Sequence, residues 1–171
     1  DHSVGVALII WHFTRDTKMT IAGLLHDISM PTFSHVIDFF NNDAETQTST
    51  EINTKRYIER SDTIQDILKR YGLETDDVAD YSRYSIADNE SPRLSADRLE
   101  YTFSNGLYFK IVWDVKEISE IYKNIEVQVN EEGIEELGFK DKEHAEQFIE
   151  GAHKLWPLWI SKEDKLCMQF I

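Results

Sequence analysis

The stretch Ile21–Asp38, IAGLLHDISMPTFSHVID, is the segment on which the interpretation of this chain depends. An apolar run that predicts a buried helix ends at His26 and Asp27, and Pro31 follows shortly after. Neighbouring residues on a helix point about 100° apart, so these two side chains can face one point only where the helix ends. Pro31 supplies that end, because proline disfavours helical geometry in the residue before it. An imidazole beside a carboxylate is then a candidate half of a metal site, although a polar helix tip facing water is the simpler interpretation of the dipeptide alone.

Two further segments place the same residue types in helical settings. The sequence DHSVGVA at residues 1–7 puts His2 directly before an apolar helix, and SADRLEYT at 95–102 puts Asp97 inside another helix. The order His, His-Asp, Asp resembles the HD-domain phosphohydrolase superfamily. The local words are similar to its branch of deoxynucleoside triphosphate triphosphohydrolases. The resemblance extends from the first residue to the helix that carries Asp97.

His12, at the end of an apolar helix, is interpreted as an ordinary helix-terminal histidine.

The resemblance implies a metal site of four ligands: His2, His26, Asp27 and Asp97. A mixed imidazole and carboxylate set leaves positions on an octahedral ion for water and substrate. It suits one divalent transition-metal ion, namely Mn, Ni, Fe, Co or Zn, with Mg as a further candidate. Such an ion holds a phosphate oxygen and lowers the pKa of bound water. The alternative, four buried polar residues satisfied by hydrogen bonds, stays open from the sequence.

The resemblance also implies which residues surround the metal. His35 and Asp38 match positions that relatives use near the phosphates. We take Asp38 and Glu51, which could partly substitute for missing imidazoles, as the candidate catalytic residues, and His35 and Arg98 as the candidates for binding substrate phosphate. The sequence departs from related enzymes at two positions. Met30 stands four residues after His26, where relatives commonly carry a histidine or glutamate. Thr50 stands directly before Glu51, where triphosphohydrolase-like relatives carry a second catalytic histidine.

These two departures leave two functions open. A general acid or base typically contributes about 10²–10⁴ in rate, so a chain with Met30 and Thr50 in place of imidazoles loses that assistance. The first function is a metal-dependent phosphohydrolase acting on a nucleotide or other phosphoester through a metal-activated water. The alternative is a catalytically weakened HD-domain protein that binds a ligand or metal in a regulatory or structural role. The retention of His35, Asp38 and all four ligands favours the hydrolase.

Composition limits the partners. The chain has 171 residues and a formal net charge of −14, which argues against attraction to nucleic acid polymers or membrane surfaces. No apolar run approaches the roughly 20 residues of a membrane span, and Cys167 is the single cysteine. We therefore expect a cytoplasmic protein whose partner is a small-molecule phosphoester, with homo-oligomerisation left open. The absence of an initiator Met suggests a fragment, and any residues upstream of Asp1 that help to build the site are not included in this sequence.

The pattern predicts a mainly α-helical fold, an HD-domain helical bundle with a small β-hairpin near its C-terminal part. Residues 1–106 form the helical core, and residues 107–171 are C-terminal helices and the hairpin packed on it as one continuous domain. Gly106 is expected to end the helix of Asp97, and Pro157 to separate two C-terminal helices. Helices are predicted at 4–13, 17–27, 31–40, 50–59, 61–71, 75–81, 95–105, 115–123, 141–155 and from about 161, with strands at 125–129 and 134–139.

Overall fold

The computed structural model describes residues 1–30, 53–163 and 166–167. Within these ranges the chain forms α-helices, one short 3-10 helix and one antiparallel hairpin, which confirms the mainly helical class. The α-helices are α1 His2–Thr14, α2 Thr17–Leu25, α3 Thr54–Arg60, α4 Asp62–Arg70, α5 Thr75–Val78, α6 Ala96–Tyr108, α7 Val115–Lys123 and α8 Lys142–Trp159. The 3-10 helix is Tyr81–Arg83, and the strands are β1 Ile125–Val129 and β2 Glu135–Phe139.

Helix α1 packs against both α2 and α6, and this arrangement brings distant parts of the chain together. Val6 and Ile10 of α1 and Leu99 of α6 are fully buried in one core cluster. Ala22 of α2 belongs to a second cluster, which it shares with Ile58, Leu68, Leu73 and Val78. The start of α1, the end of α2 and the start of α6 therefore meet at one end of the bundle.

The C-terminal segment shares the first core cluster. Trp113 and Phe148 stack with their ring planes 9° apart, and both contact Phe103 of α6 edge-on. The hairpin pairs Ile125 with Phe139 and Val129 with Glu135, as the turn at residues 130–133 predicts. The first cluster thus runs from α1 through α6 into α7, the hairpin and α8. The division of the chain at residue 106 stays a prediction.

Two predicted helix ends are wrong. Gly106 lies inside α6 and is buried. The ring of Trp113 packs so closely against it that a Cβ at this position would lie 2.7 Å from Cε3 of the ring. The glycine therefore makes room for the indole ring instead of ending the helix. Helix α8 continues past Leu155 and includes Pro157 in its last turn, where the loss of one backbone donor is confined to the helix end.

Other predicted elements agree to within a few residues, and some lie outside the described residues. Helix α7 and strand β1 have the predicted bounds. The predicted helix at 31–40 and the start of the one at 50–59 fall in residues 31–52. Residues 162–163 and 166–167 are helical near the predicted final helix. None of the helices in the described ranges combines the length and hydropathy that a membrane crossing requires.

Candidate metal centre

The first side chain of the site stands at the start of α1. His2 is the first residue of this helix, and its side chain is about one-third exposed. Nε2 of the ring lies 2.9 Å from Oδ1 of Asp97, and Nδ1 contacts Oε2 of Glu100. Both carboxylates belong to α6, so one imidazole joins the beginnings of two packed helices.

The second imidazole stands where α2 ends. His26 is the C-cap of α2 and is 4% exposed. After Leu25 the backbone changes to shorter turns, in which Ile28 donates to the carbonyl of Leu25 and Met30 donates to that of Asp27. The predicted end of the helix at the His-Asp pair is therefore confirmed. This turn lets His26 and Asp27 face each other, with Nε2 of the histidine 3.3 Å from Oδ2 of the aspartate.

The tautomer of His26 follows from its backbone partner. Nδ1 lies 2.7 Å from the carbonyl oxygen of Gly23, which can only accept a hydrogen bond. Nδ1 therefore carries a proton, which leaves Nε2, the nitrogen that faces Asp27 and Asp97, as the atom that can bind an ion. The ring also contacts that of Tyr81, with centroids 4.7 Å apart. These contacts hold His26 in one orientation.

The third element is the beginning of α6, which is fixed by a loop. The amides of Ala96 and Asp97 donate to the carbonyls of Ile86 and Ala87 at 2.8 and 3.2 Å. The buried hydroxyl of Ser95 caps the helix by accepting from the amide of Arg98. Oδ1 of Asp97 consequently lies 3.7 Å from Nε2 of His26. His2, His26 and Asp97 therefore meet from three helices, as predicted, whereas the assignment of these residues and of Asp27 as metal ligands stays a prediction.

The donor set fits a divalent transition ion. One donor atom from each of His2, His26 and Asp97 lies within 4.8 Å of the other two. Two ligands that each bind at about 2.1 Å can be at most about 4.2 Å apart. The separations of 2.9 and 3.7 Å between Oδ1 of Asp97 and the two histidine nitrogens satisfy that limit, and the two histidine nitrogens lie within 4.8 Å of each other. Asp27 stands next to this group through its contact with His26. Nitrogen and carboxylate donors together suit a transition ion.

Electrostatics in the metal-free protein agree with a cation site. Burial alone lowers the pKa of His2, but hydrogen bonds and charge from Asp97 and Glu100 outweigh burial and raise that pKa to about 10. A protonated His2 thus holds two carboxylates together. Metal binding at Nε2 would replace this proton by a divalent charge.

We predict a pH-dependent stability for the metal-free protein. The pKa of His2 is raised from 6.5 to about 10 by folding, so its contribution is fully present below pH 6.5 and is lost as pH rises through about 10. Urea unfolding of the metal-free wild type and of His2→Gln between pH 6 and 10 measures the contribution of His2 to the free energy of unfolding. The free-energy difference between the two should shrink with rising pH, and a constant difference would contradict the prediction.

The remaining predicted residues have different outcomes. His35, Asp38, Thr50 and Glu51 lie outside the described residues, so their assigned roles stay predictions. Arg98 lies next to Asp97, but its guanidinium is bonded to the loop before α6. It donates to Oδ1 of Asn89 at 2.6 Å and to the carbonyl of Arg93 at 3.0 Å, it contacts the carbonyl of Asn89, and it lies 3.4 Å from Asp88. This geometry supports a role in shaping the loop, and phosphate binding by Arg98 stays a prediction.

Sequence reasoning missed Glu100. Its carboxylate contacts His2 directly and accepts a hydrogen bond from Ser104. A signal was present, because residues three apart on a helix lie on the same face and Asp97 and Glu100 have that spacing. Among 32 acidic residues in the chain, however, this spacing alone does not distinguish Glu100.

Comparison with known proteins agrees with the geometry. Residues 1–90 match the family profile described as the HD domain. The uncharacterized protein YdhJ of Bacillus subtilis is 38% identical over 104 residues, which cover 60% of this chain and 31% of that protein. The metal-dependent phosphohydrolase cns2 of Cordyceps militaris is 30% identical over 109 residues, covering 64% and 31% respectively. The chain therefore spans about a third of the length of these curated relatives.

Proposed function

Because this chain belongs to the HD-domain family, we propose that it carries the metal centre of a metal-dependent phosphohydrolase. His2, His26, Asp27 and Asp97 would hold one divalent transition ion. The observation that carries the proposal is the convergence of two imidazoles and one carboxylate from three separate helix ends. The printed description of cns2, a metal-dependent phosphohydrolase, supports the same reaction class.

The residues of the chain suit this chemistry. A divalent ion at such a site neutralises a phosphate oxygen and lowers the pKa of coordinated water. His26 is fixed by the carbonyl of Gly23, so its Nε2 needs no reorientation to bind the ion. The beginning of α6 is held by backbone hydrogen bonds to residues 86 and 87, which keeps Asp97 in position. Preorganised ligands of this kind reduce the reorganisation needed during reaction.

The charge of the protein supports a metal-dependent route. A formal net charge of −14 repels phosphate at long range. An anionic substrate therefore needs a local positive charge, and the four ligands would place one at the site. A small phosphoester, with a nucleotide as the candidate that the resemblance suggests, is the proposed substrate class.

A second function is favoured by one residue. Met30 lies in the turn that follows the His-Asp pair, and its thioether can neither donate nor accept a proton in a general acid–base step. A weakened enzyme that mainly binds a metal or ligand would fit this substitution. The two functions differ in turnover and share the metal centre.

A phosphate-release screen tests the proposal. Purified protein stripped of metal and reloaded with Mn²⁺, Ni²⁺, Co²⁺ or Mg²⁺ should release phosphate from at least one nucleotide or simple phosphoester. Asp97→Asn should lose this activity, because it removes a charged ligand. His153→Ala is the matched control, since His153 is exposed on α8. Equal activity in Asp97→Asn and wild type would exclude the assigned centre, whereas metal binding without any release would favour the binding function.

A further inference from the structure

We infer that Glu100 is a positioning residue that fixes the direction of His2 for metal binding, and that Gly5 is required for this contact. The inference rests on the proposed function, because it takes His2 as a ligand of the ion. It assigns roles to two residues outside the four ligands, and one of these, Gly5, acts only through the space that its missing side chain leaves.

The carboxylate of Glu100 is held at both oxygens. Oε2 accepts the hydrogen bond from Nδ1 of His2, and Oε1 accepts one from the hydroxyl of Ser104 at 2.5 Å. The side chain of Glu100 is 13% exposed. A carboxylate with both oxygens engaged and little room cannot rotate freely, so it defines where the proton of the imidazole must lie.

This contact determines which nitrogen of His2 is available. An ionised carboxylate accepts hydrogen bonds and donates none, so the proton on His2 stays at Nδ1 once the other nitrogen binds a metal. Nε2 then points toward Asp97, whose Oδ1 lies 2.9 Å away. Partners that fix the tautomer and orientation of a metal-ligating histidine commonly contribute to metal affinity.

The two histidines of the site are fixed by different means. His26 bonds to a backbone carbonyl of its own helix, which no side-chain substitution removes. His2 depends on a side chain 98 residues further along the chain. The orientation of His2 can therefore be changed by mutation while that of His26 is kept, and this difference makes the role of Glu100 testable.

Glu100 and Asp97 contact different nitrogens of the His2 ring, with Glu100 at Nδ1 and Asp97 at Nε2. A negative charge behind the ring also increases the electron density that Nε2 offers to a cation.

Gly5 explains how Glu100 reaches the ring. Gly5 lies three residues after His2 on α1. A Cβ at this position would lie 2.6 Å from Cγ and 2.8 Å from Oε1 of Glu100. Glycine weakens a helix interior relative to alanine, so α1 carries a less favourable residue at the point where α6 approaches. Any larger residue at position 5 must displace the side chain that holds His2.

The experiment compares metal affinity in the full chain. Metal-free wild type, Glu100→Gln, Glu100→Ala and Gly5→Ala are titrated with Mn²⁺ and Ni²⁺ by isothermal titration calorimetry, with His153→Ala as control. We expect Glu100→Ala to weaken binding about 10–100-fold. Glu100→Gln should fall between it and wild type, because the amide oxygen still accepts from Nδ1.

A double-mutant cycle tests the role of Gly5. Gly5→Ala should weaken binding in the wild-type background. In the Glu100→Ala background, where its Cβ no longer meets Glu100, it should have little further effect. Such non-additivity is expected for residues that act through one contact. Additive losses would overturn the assignment of Gly5. The ring ¹⁵N shifts of His2 in the Zn²⁺-loaded protein supply a second readout, with Nδ1 protonated in wild type.

Each outcome separates this inference from the proposed function. If Glu100→Ala and Glu100→Gln bind metal like wild type while His26→Ala does not, the role of Glu100 is overturned and the metal centre stands. If His26→Ala also binds like wild type, the metal centre itself fails. Should Glu100→Ala not fold, Glu100→Gln and Gly5→Ala decide the question, with circular dichroism of the metal-free proteins verifying that both remain folded.

Discussion

Replacing His26 with alanine is expected to abolish retention of the divalent ion through purification and dialysis. His26 is the most buried of the four predicted ligands, and its Nε2 faces both Asp27 and Asp97. The variant leaves two carboxylates near one another without an imidazole between them. Metal content by plasma mass spectrometry gives the measurement, with His153→Ala as the control that should keep its metal.

The same substitution should remove the stabilisation that the ion gives to the folded chain. A ligand present at 100 times its dissociation constant stabilises the native state by about 2.7 kcal/mol. Adding Mn²⁺ or Ni²⁺ should therefore raise the Tm of wild type and His153→Ala but not of His26→Ala. An equal rise in all three would locate metal binding elsewhere in the protein.

Restoring imidazoles at Met30 and Thr50 is expected to raise turnover with unchanged metal occupancy. A positioned general acid or base contributes about 10²–10⁴ in rate, so this is the largest gain the sequence predicts. Met30 lies in the turn beside Asp27, whose carbonyl accepts its amide hydrogen. The role of position 50 comes from the resemblance to related enzymes. Phosphate release by Met30→His, Thr50→His and the double variant is compared with wild type at equal metal content.

The two gains should be coupled, because both side chains would act on the same developing charge. Met30→Leu serves as the control for the loss of the thioether, and it should behave like wild type. A metal-loaded double variant without increased turnover would count against a hydrolase that lost its acid–base groups. Robust turnover by the wild type would show that Met30 and Thr50 do not limit the reaction.

Part of the geometry of the candidate site was predictable from the sequence, and the reason is local. A histidine followed by an aspartate at the end of an apolar helix restricts where both side chains point, and the structure confirms that turn. Adding His2 and Asp97 depended on the resemblance to a known family. No periodicity connects residues that are 95 positions apart, so physical reasoning from the sequence alone left this pairing open.

The errors came where tertiary packing overrides local preference. Glycine commonly ends helices, yet Gly106 lies inside α6 because the ring of Trp113 lies against it. Gly5 likewise stands where a Cβ would meet the side chain of Glu100 on α6. A glycine required for close approach and a glycine required for a helix end look identical in sequence. The structure distinguishes them by what a Cβ would meet.

The meeting of three helix ends at the proposed metal centre would have a consequence for how the protein matures. Contacts between His2 and α6 span nearly 100 positions, and closing a loop of that length has an entropic cost that must be met before they form. An ion that binds all three helix ends would therefore be captured only by chains in which these ends have already come together. Metallation would then act as a marker of completed folding, and the order of the two events could be read by adding a chelator at successive times during refolding.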